Sequence, residues 1–161
     1  MEYKKPFDVE FLNRTQELIK DAGKTKYEVT FLLNCLLGLI CLPIEIYKED
    51  INSSFRLEND EVFSALTDKL NCYVTITEGK DYITPYTKLR CLRNGIAHLA
   101  MEAFPNDEGK VDKIEIKGST RGKNHSIKCI FNFSVDSLKD FAAFSAEQLQ
   151  NFIESKTKKI Q

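Results

Sequence analysis

The stretch VTFLLNCLLGLICLPI, residues Val29–Ile44, is the most apolar part of the chain and is bounded by Glu28 and Glu45. It falls short of the roughly 20 residues that a helix needs to cross a bilayer. Apolar side chains occur on all sides of a helix drawn through it, so we expect other elements to surround this helix. The stretch therefore predicts the buried centre of a helical bundle, with Pro43 bending or ending the helix.

Four further helices are predicted around this one, from apolar residues at helical spacing and from start and stop signals. Thr84 followed by Pro85 is a helix start, because a hydroxyl can cap the first turn and proline suits the first helical position. The predicted helices run from Asp8 to Gly23, from Glu61 to Leu70, from Thr84 to about Ala103, and from about Val135 onward.

Two strands are predicted before the last helix, because apolar and polar residues alternate around Val111–Ile116 and Ile127–Phe133. Gly118 to Asn124 would be the turn of a hairpin over about 111–133. The expected fold class is mainly α, with four to five helices in a bundle and a two-stranded β-hairpin inserted before the last helix. Residues 1–161 would form a single domain.

The composition narrows the classes of protein that remain. A net charge of -1 excludes a protein that holds nucleic acid by bulk charge, so any such binding needs a local patch. The five cysteines have no zinc-binding spacing and mostly lie among apolar residues, which predicts reduced thiols and a cytoplasmic location. We expect no signal peptide, membrane span, metal or cofactor.

The fourth predicted helix carries an unusual polar face. Its core-facing residues would be Leu89, Leu92, Ile96, Leu99 and Ala103. On the other side, Arg90, Asn94 and His98 are spaced at i, i+4 and i+8, with Arg93 beside them. One interpretation is a solvated face on which His98 pairs with Glu102 one turn later.

Gly95 lies beside the core stripe of that helix, where it would permit close approach of another backbone. The chain contains only two histidines, His98 and His125, and it has no glycine-rich phosphate loop and no common hydrolase motif. A mechanism that depends on histidine must therefore use one of these two.

The string Arg93-Asn94-Gly95-Ile96-Ala97-His98 resembles the Arg-polar-x3-His motif of the HEPN (higher eukaryotes and prokaryotes nucleotide-binding) superfamily. The chain is also similar to that family in its apolar second helix and in the late position of the motif. The resemblance covers about residues 8 to 155. It implies a bundle of four to five helices and a metal-independent ribonuclease whose site forms at a homodimer interface.

In that mechanism the 2′-OH of RNA attacks the adjacent phosphorus. His98 would transfer a proton, because histidine is the side chain that most often serves as a general acid or base near neutral pH. Arg93 would stabilise charge on the phosphorane, and Asn94 would orient the imidazole or bind the phosphate. Arg90 would help to position the RNA.

The predicted hairpin is a second candidate RNA surface. Residues 110–128 carry six lysine or arginine residues against two acidic ones, and Lys117, Arg121 and Lys123 lie near the turn. These cations would follow the phosphates of RNA. The alternative is that the lysines protect an exposed strand edge from aggregation.

Two other functions stay open. One is a non-catalytic HEPN-like module that binds RNA, a nucleotide or a protein, and the other is a structural bundle in which the motif is incidental. The expected partners are RNA, a second copy of the chain, and an antitoxin or regulatory protein, as in toxin–antitoxin or phage-defence systems.

Overall fold

The computed structural model describes residues 7–46, 61–121 and 125–159. In this part of the chain the helices are α1 (Phe7–Lys20), α2 (Glu28–Ile46), α3 (Glu61–Leu70), α4 (Pro85–Ala97) and α5 (Val135–Lys159). The strands are β1 (Val74–Glu78), β2 (Met101–Pro105), β3 (Val111–Arg121) and β4 (Ser126–Ser134).

The four strands form one antiparallel sheet in the order β1-β4-β3-β2. The predicted hairpin is the centre of this sheet, and β1 and β2 pair along its two sides. The expected fold class, a mainly α bundle with a two-stranded hairpin, is therefore wrong. The fold is a mixed α/β arrangement in which helices pack against a four-stranded sheet.

Alternation along the two central strands places the core on one face of the sheet. Ile114 and Ile116 of β3 are buried, as are Phe131 and Phe133 of β4, whereas the intervening residues of β3 are more accessible. Because successive side chains of a strand point to opposite faces, the buried set covers the face that α4 and α5 contact.

The central role of α2 is largely confirmed. Leu32, Leu36 and Leu39 of this helix have no exposed surface. The expectation that other elements enclose α2 on all sides is wrong, however, because Thr30 and Asn34 are exposed.

The strand β2 replaces the predicted last turn of the fourth helix. Met101 pairs with Ile116 and Ala103 pairs with Ile114. Met, Glu and Ala favour helices, but this local preference is weak and pairing with β3 overrides it. Ala103 is consequently exposed on an edge strand instead of belonging to a helical core stripe.

Two glycines bring α4 unusually close to the sheet. A Cβ added at Gly118 in β3 would lie 2.0 Å from the carbonyl oxygen of Cys91, and one at Gly95 would lie 2.6 Å from Cγ2 of Ile116. The close approach predicted at Gly95 is thus present, and the approaching backbone is β3 of the same chain. Gly118 is part of a strand and not of the predicted turn.

Candidate functional site

The candidate site lies where α4 ends and the chain turns into β2. The backbone N–H of Leu99 donates to Ile96 O at 3.0 Å, and that of Ala100 donates to Gly95 O at 2.9 Å. These bonds form a Schellman turn, in which the residue after the helix cap is left-handed. His98 is the cap residue and its side chain is exposed, so the imidazole is accessible at the end of the helix.

Leu99 occupies the left-handed position of this turn, with a φ of 53°. A non-glycine residue there costs about 1–2 kcal/mol, because its Cβ crowds the following carbonyl. Leu99 is also 78% exposed, so the predicted core role of this side chain is wrong and burial does not offset the cost. Strained residues of this kind cluster at functional sites, and this one directly follows His98.

Arg93 and Asn94 are connected to each other and to the sheet. One terminal nitrogen of Arg93 donates to Asn94 Oδ1 at 3.0 Å. The Asn94 amide nitrogen in turn donates to the carbonyl oxygen of Ser119 at 2.8 Å. Because β2 pairs with β3 only as far as Ile116, this part of β3 is left for Asn94 to bind. The asparagine therefore holds the guanidinium in relation to the sheet.

The pairing of His98 with Glu102 that a longer helix predicts does not occur within the part of the chain that the structure describes. Glu102 lies in β2, and its carboxylate is 4.0 Å from Nζ of Lys117, so the predicted pairing of Glu102 with His98 is wrong. Asn94 uses its amide oxygen and nitrogen to hold Arg93 and Ser119.

Arg90 is the next cation along α4 toward its start. Its guanidinium carbon lies 5.6 Å from the ring centroid of Tyr86, which is a cation–π distance. Tyr86 and Arg90 are one helical turn apart, as are Arg90 and Asn94, so an aromatic ring extends the polar row toward the start of α4.

The cations of the hairpin do not share one environment. Lys117 lies on the opposite face of the sheet from the helices, and its Nζ is 3.3 Å from a carboxylate oxygen of Glu115. Arg121 is exposed at the end of β3, and the described residues provide it with no ion pair. Lys123 lies outside the described residues.

The thiols of the site region are buried. Cys91 of α4 and Cys129 of β4 are both in the core. The neighbouring Cys129 sulfur and burial raise the pKa of Cys91, which keeps this thiol protonated. Within the described ranges, no group of three or more His, Cys, Asp or Glu side chains has an arrangement that would hold a metal ion.

Sequence analysis missed two residues around the motif. The Tyr86 contact had a signal, since tyrosine and Arg90 are spaced at i and i+4. The Ser119 contact had none, because it depends on where β2 stops pairing with β3.

In the described residues, helices pack on one face of an antiparallel sheet, and an Arg-Asn-x3-His string lies at the end of one helix. A related protein should share both of these features. A family model described as HEPN pEK499 p136 matches residues 1–158, and the chain therefore belongs to this HEPN family. The resemblance noted from the motif is thus confirmed, and membership supports a nucleotide-binding or ribonuclease-like module. No curated protein and no solved structure matches the chain.

Among the helices of the described residues, none combines enough length with enough apolar character to cross a bilayer.

Proposed function

We propose that this protein is a metal-independent endoribonuclease of HEPN type, with Arg93, Asn94 and His98 at its catalytic centre. The end of α4 carries this proposal. There an exposed histidine caps the helix, and the preceding arginine is held through Asn94 and Ser119, in a chain that belongs to a HEPN family.

RNA supplies its own nucleophile in this reaction. The 2′-OH loses a proton and attacks the adjacent phosphorus, and the bond to the 5′-oxygen breaks as that oxygen gains a proton. The products are a 2′,3′-cyclic phosphate and a 5′-OH. His98 transfers one of the two protons, a contribution typically worth about 10²–10⁴-fold in rate.

Arg93 stabilises the negative charge that increases on the phosphate oxygens. Its planar guanidinium offers two parallel donors to those oxygens. Asn94 is a positioning residue for this guanidinium, because it accepts a hydrogen bond from Arg93 while its own amide is bound to β3. A donor that is already oriented needs no rearrangement when the transition state forms.

A second copy of the chain would supply the second proton-transfer group. One imidazole cannot readily act as base and acid in the same step, so two His98 side chains at a twofold interface give each proton a carrier. Gly95 does not contribute to this interface, since β3 already packs against it. A strict monomer by light scattering at micromolar concentration would count against this part of the proposal.

The cations around the catalytic centre have different proposed roles in binding RNA. Arg90 binds RNA phosphates from α4, Arg121 binds them from the end of β3, and Lys123 is assigned to the same binding role from its sequence position alone. Lys117 contributes less, because Glu115 and Glu102 neutralise its charge on the outer face of the sheet.

Because free ribonuclease activity damages the cell that produces it, we extend the proposal to a cytoplasmic protein that an antitoxin or regulatory partner restrains. Toxin–antitoxin and phage-defence systems are settings of this kind.

The test is cleavage of single-stranded and structured RNAs in EDTA, with analysis of the new ends. We expect cleavage to persist in EDTA and to give cyclic phosphate ends. Arg93→Ala should lose about 10²–10³-fold in rate. The matched control is Arg14→Ala on α1, where Arg14 pairs with Glu10, and it should cleave normally.

Dependence on added metal, or equal loss in the two arginine variants, would contradict the proposal. Binding of RNA or a nucleotide at this face without cleavage of any substrate would favour the non-catalytic module instead.

A further inference from the structure

A stacked pair of aromatic rings lies at the opposite end of α4 from His98. The ring of Tyr82 and the imidazole of His125 are 4.0 Å apart between centroids and 14° from parallel. Tyr82 nevertheless remains 54% exposed. His125 covers one face of the tyrosine ring, and about half of the Tyr82 surface still remains accessible to a second flat group.

The backbone on both sides of Tyr82 is fixed. Gly79 has a φ of 76°, and a Cβ there would lie 2.4 Å from the carbonyl oxygen of Ser126, so only glycine permits this close approach to β4. The backbone N–H of Tyr82 donates to Gly79 O at 3.0 Å. Two residues later, Thr84 caps α4. The exposed ring is therefore held in place, which lowers the entropy that a ligand must remove on stacking.

The charges at this end favour an anion. Arg121 pairs in register with Ser126, the residue that follows His125, and it forms no ion pair within the described part of the chain. Lys80 and Asp81 are both exposed just before Tyr82 and carry opposite charges, so Arg121 supplies the net positive charge at this end. The nearby Glu78 carboxylate is already held by Lys128 at 2.6 Å.

Helix α4 connects these rings with the catalytic centre. Its 13 residues span about 20 Å, and Tyr86 and Arg90 lie between the rings and Asn94. A strand of RNA along this helix would meet aromatic rings first, then arginines, and His98 last. Rings combined with arginines along a path are the usual means of holding single-stranded nucleic acid.

We propose that Tyr82, backed by His125, is a stacking platform for one nucleobase of single-stranded RNA, several nucleotides away from the phosphate that is cleaved. This inference rests on the proposed function for the identity of the ligand. It adds a binding position that the Arg-Asn-x3-His motif does not include. It also assigns a role to the second histidine, which the proposed mechanism leaves unused.

The test measures affinity for a single-stranded oligonucleotide in the His98→Ala background, where the RNA stays intact. Adding Tyr82→Ala should weaken binding about tenfold, since loss of one stacking contact typically weakens binding by roughly 5- to 150-fold. Tyr82→Phe should retain the affinity. The matched control is Tyr27→Ala, because Tyr27 is 66% exposed and lies before α2, in a groove that it shares with Gly109 and Lys110.

A second variant reports on stacking directly. The chain has no tryptophan, so Tyr82→Trp introduces a single indole. Stacking of a base on the indole should quench its fluorescence when the oligonucleotide is added, and the readout does not depend on whether Tyr82→Ala folds well.

The platform would be overturned if Tyr82→Ala bound as tightly as its parent, or if the indole fluorescence did not change on binding. Wild-type cleavage of a dinucleotide separates the two proposals, because a dinucleotide is too short to reach Tyr82. Normal cleavage with no Tyr82 effect on longer RNA would remove the platform alone. Absence of any RNA cleavage or binding by the wild-type protein would remove the proposed function as well.

Discussion

The two ends of α4 are constructed in opposite ways. At its start, Thr84 accepts a hydrogen bond from the Thr87 N–H, and the Thr87 hydroxyl accepts one from the Thr84 N–H, with Pro85 in the first helical position. These residues suit the conformation that they adopt. At its end, Leu99 occupies a left-handed position that favours glycine.

This difference concerns the backbone of the two ends, because the end of α4 carries a left-handed non-glycine residue and its start does not. A sequence selected only for stability would have glycine at the position after the cap residue His98, just as it has a capping box at Thr84. The unfavourable residue instead directly follows the exposed His98, beside the Arg93, Asn94 and Ser119 contacts. Under the proposed function, the capping box at the start of the helix serves stability, and the residues at its end serve catalysis.

Among variants of the residues that hold the two ends of α4, the largest effect is expected from Asn94→Ala, which tests whether the end of α4 acts as one unit. Loss of the contact to Arg93 should lower kcat about 10²-fold, because small misplacements of a catalytic group have effects of that size. KM should change little. The double variant Arg93→Ala with Asn94→Ala should be no slower than Arg93→Ala alone, since the positioning residue then has nothing to position. Additive losses in the double variant would show that Asn94 acts independently of Arg93.

A smaller effect is expected from Thr84→Ala at the other end. Loss of the capping oxygen should lower the free energy of unfolding by about 1 kcal/mol, as measured by urea denaturation. Dinucleotide cleavage should be unaffected, because the catalytic end keeps its contacts. Thr84→Ser retains the hydroxyl and serves as the control. A large loss of dinucleotide cleavage in Thr84→Ala would remove the division of roles between the two ends.

The smallest effect is expected from Leu99→Gly, and it has the opposite sign. Glycine accepts a positive φ without a Cβ clash, so the free energy of unfolding should rise by up to about 1 kcal/mol. Leu99→Ala keeps a Cβ and should give no such gain. If Leu99→Gly instead destabilised the protein and weakened its self-association, the exposed leucine would be a contact with a second subunit.

The helices were predictable because their signals are local. Buried Leu32, Leu36 and Leu39 follow from a run that is too apolar to face water, and Thr84-Pro85 marks the start of α4 correctly. The hairpin strands followed from alternation, which is also local.

The outer strands were missed for different physical reasons. The β1 sequence VTITE alternates apolar and polar β-branched residues, which is typical of a strand. This signal is weak because the strand is only 5 residues long. MEAFP in β2 has helix-forming residues, and only pairing with β3 makes it a strand. The residue at which α4 ends and the contact of Asn94 with Ser119 both depend on that pairing. The motif residues could therefore be identified from the sequence, but their geometry could not be predicted from it.

The central claim is that His98 transfers a proton during RNA cleavage, and chemical rescue tests it most directly. The measurement compares the cleavage rates of wild-type protein, His98→Ala and Arg93→Ala, with and without added imidazole. We predict that His98→Ala loses about 10²–10⁴-fold and partly recovers with imidazole, whereas Arg93→Ala does not recover, because imidazole replaces a proton carrier and not a guanidinium. Cleavage by His98→Ala at the wild-type rate without imidazole would contradict the claim.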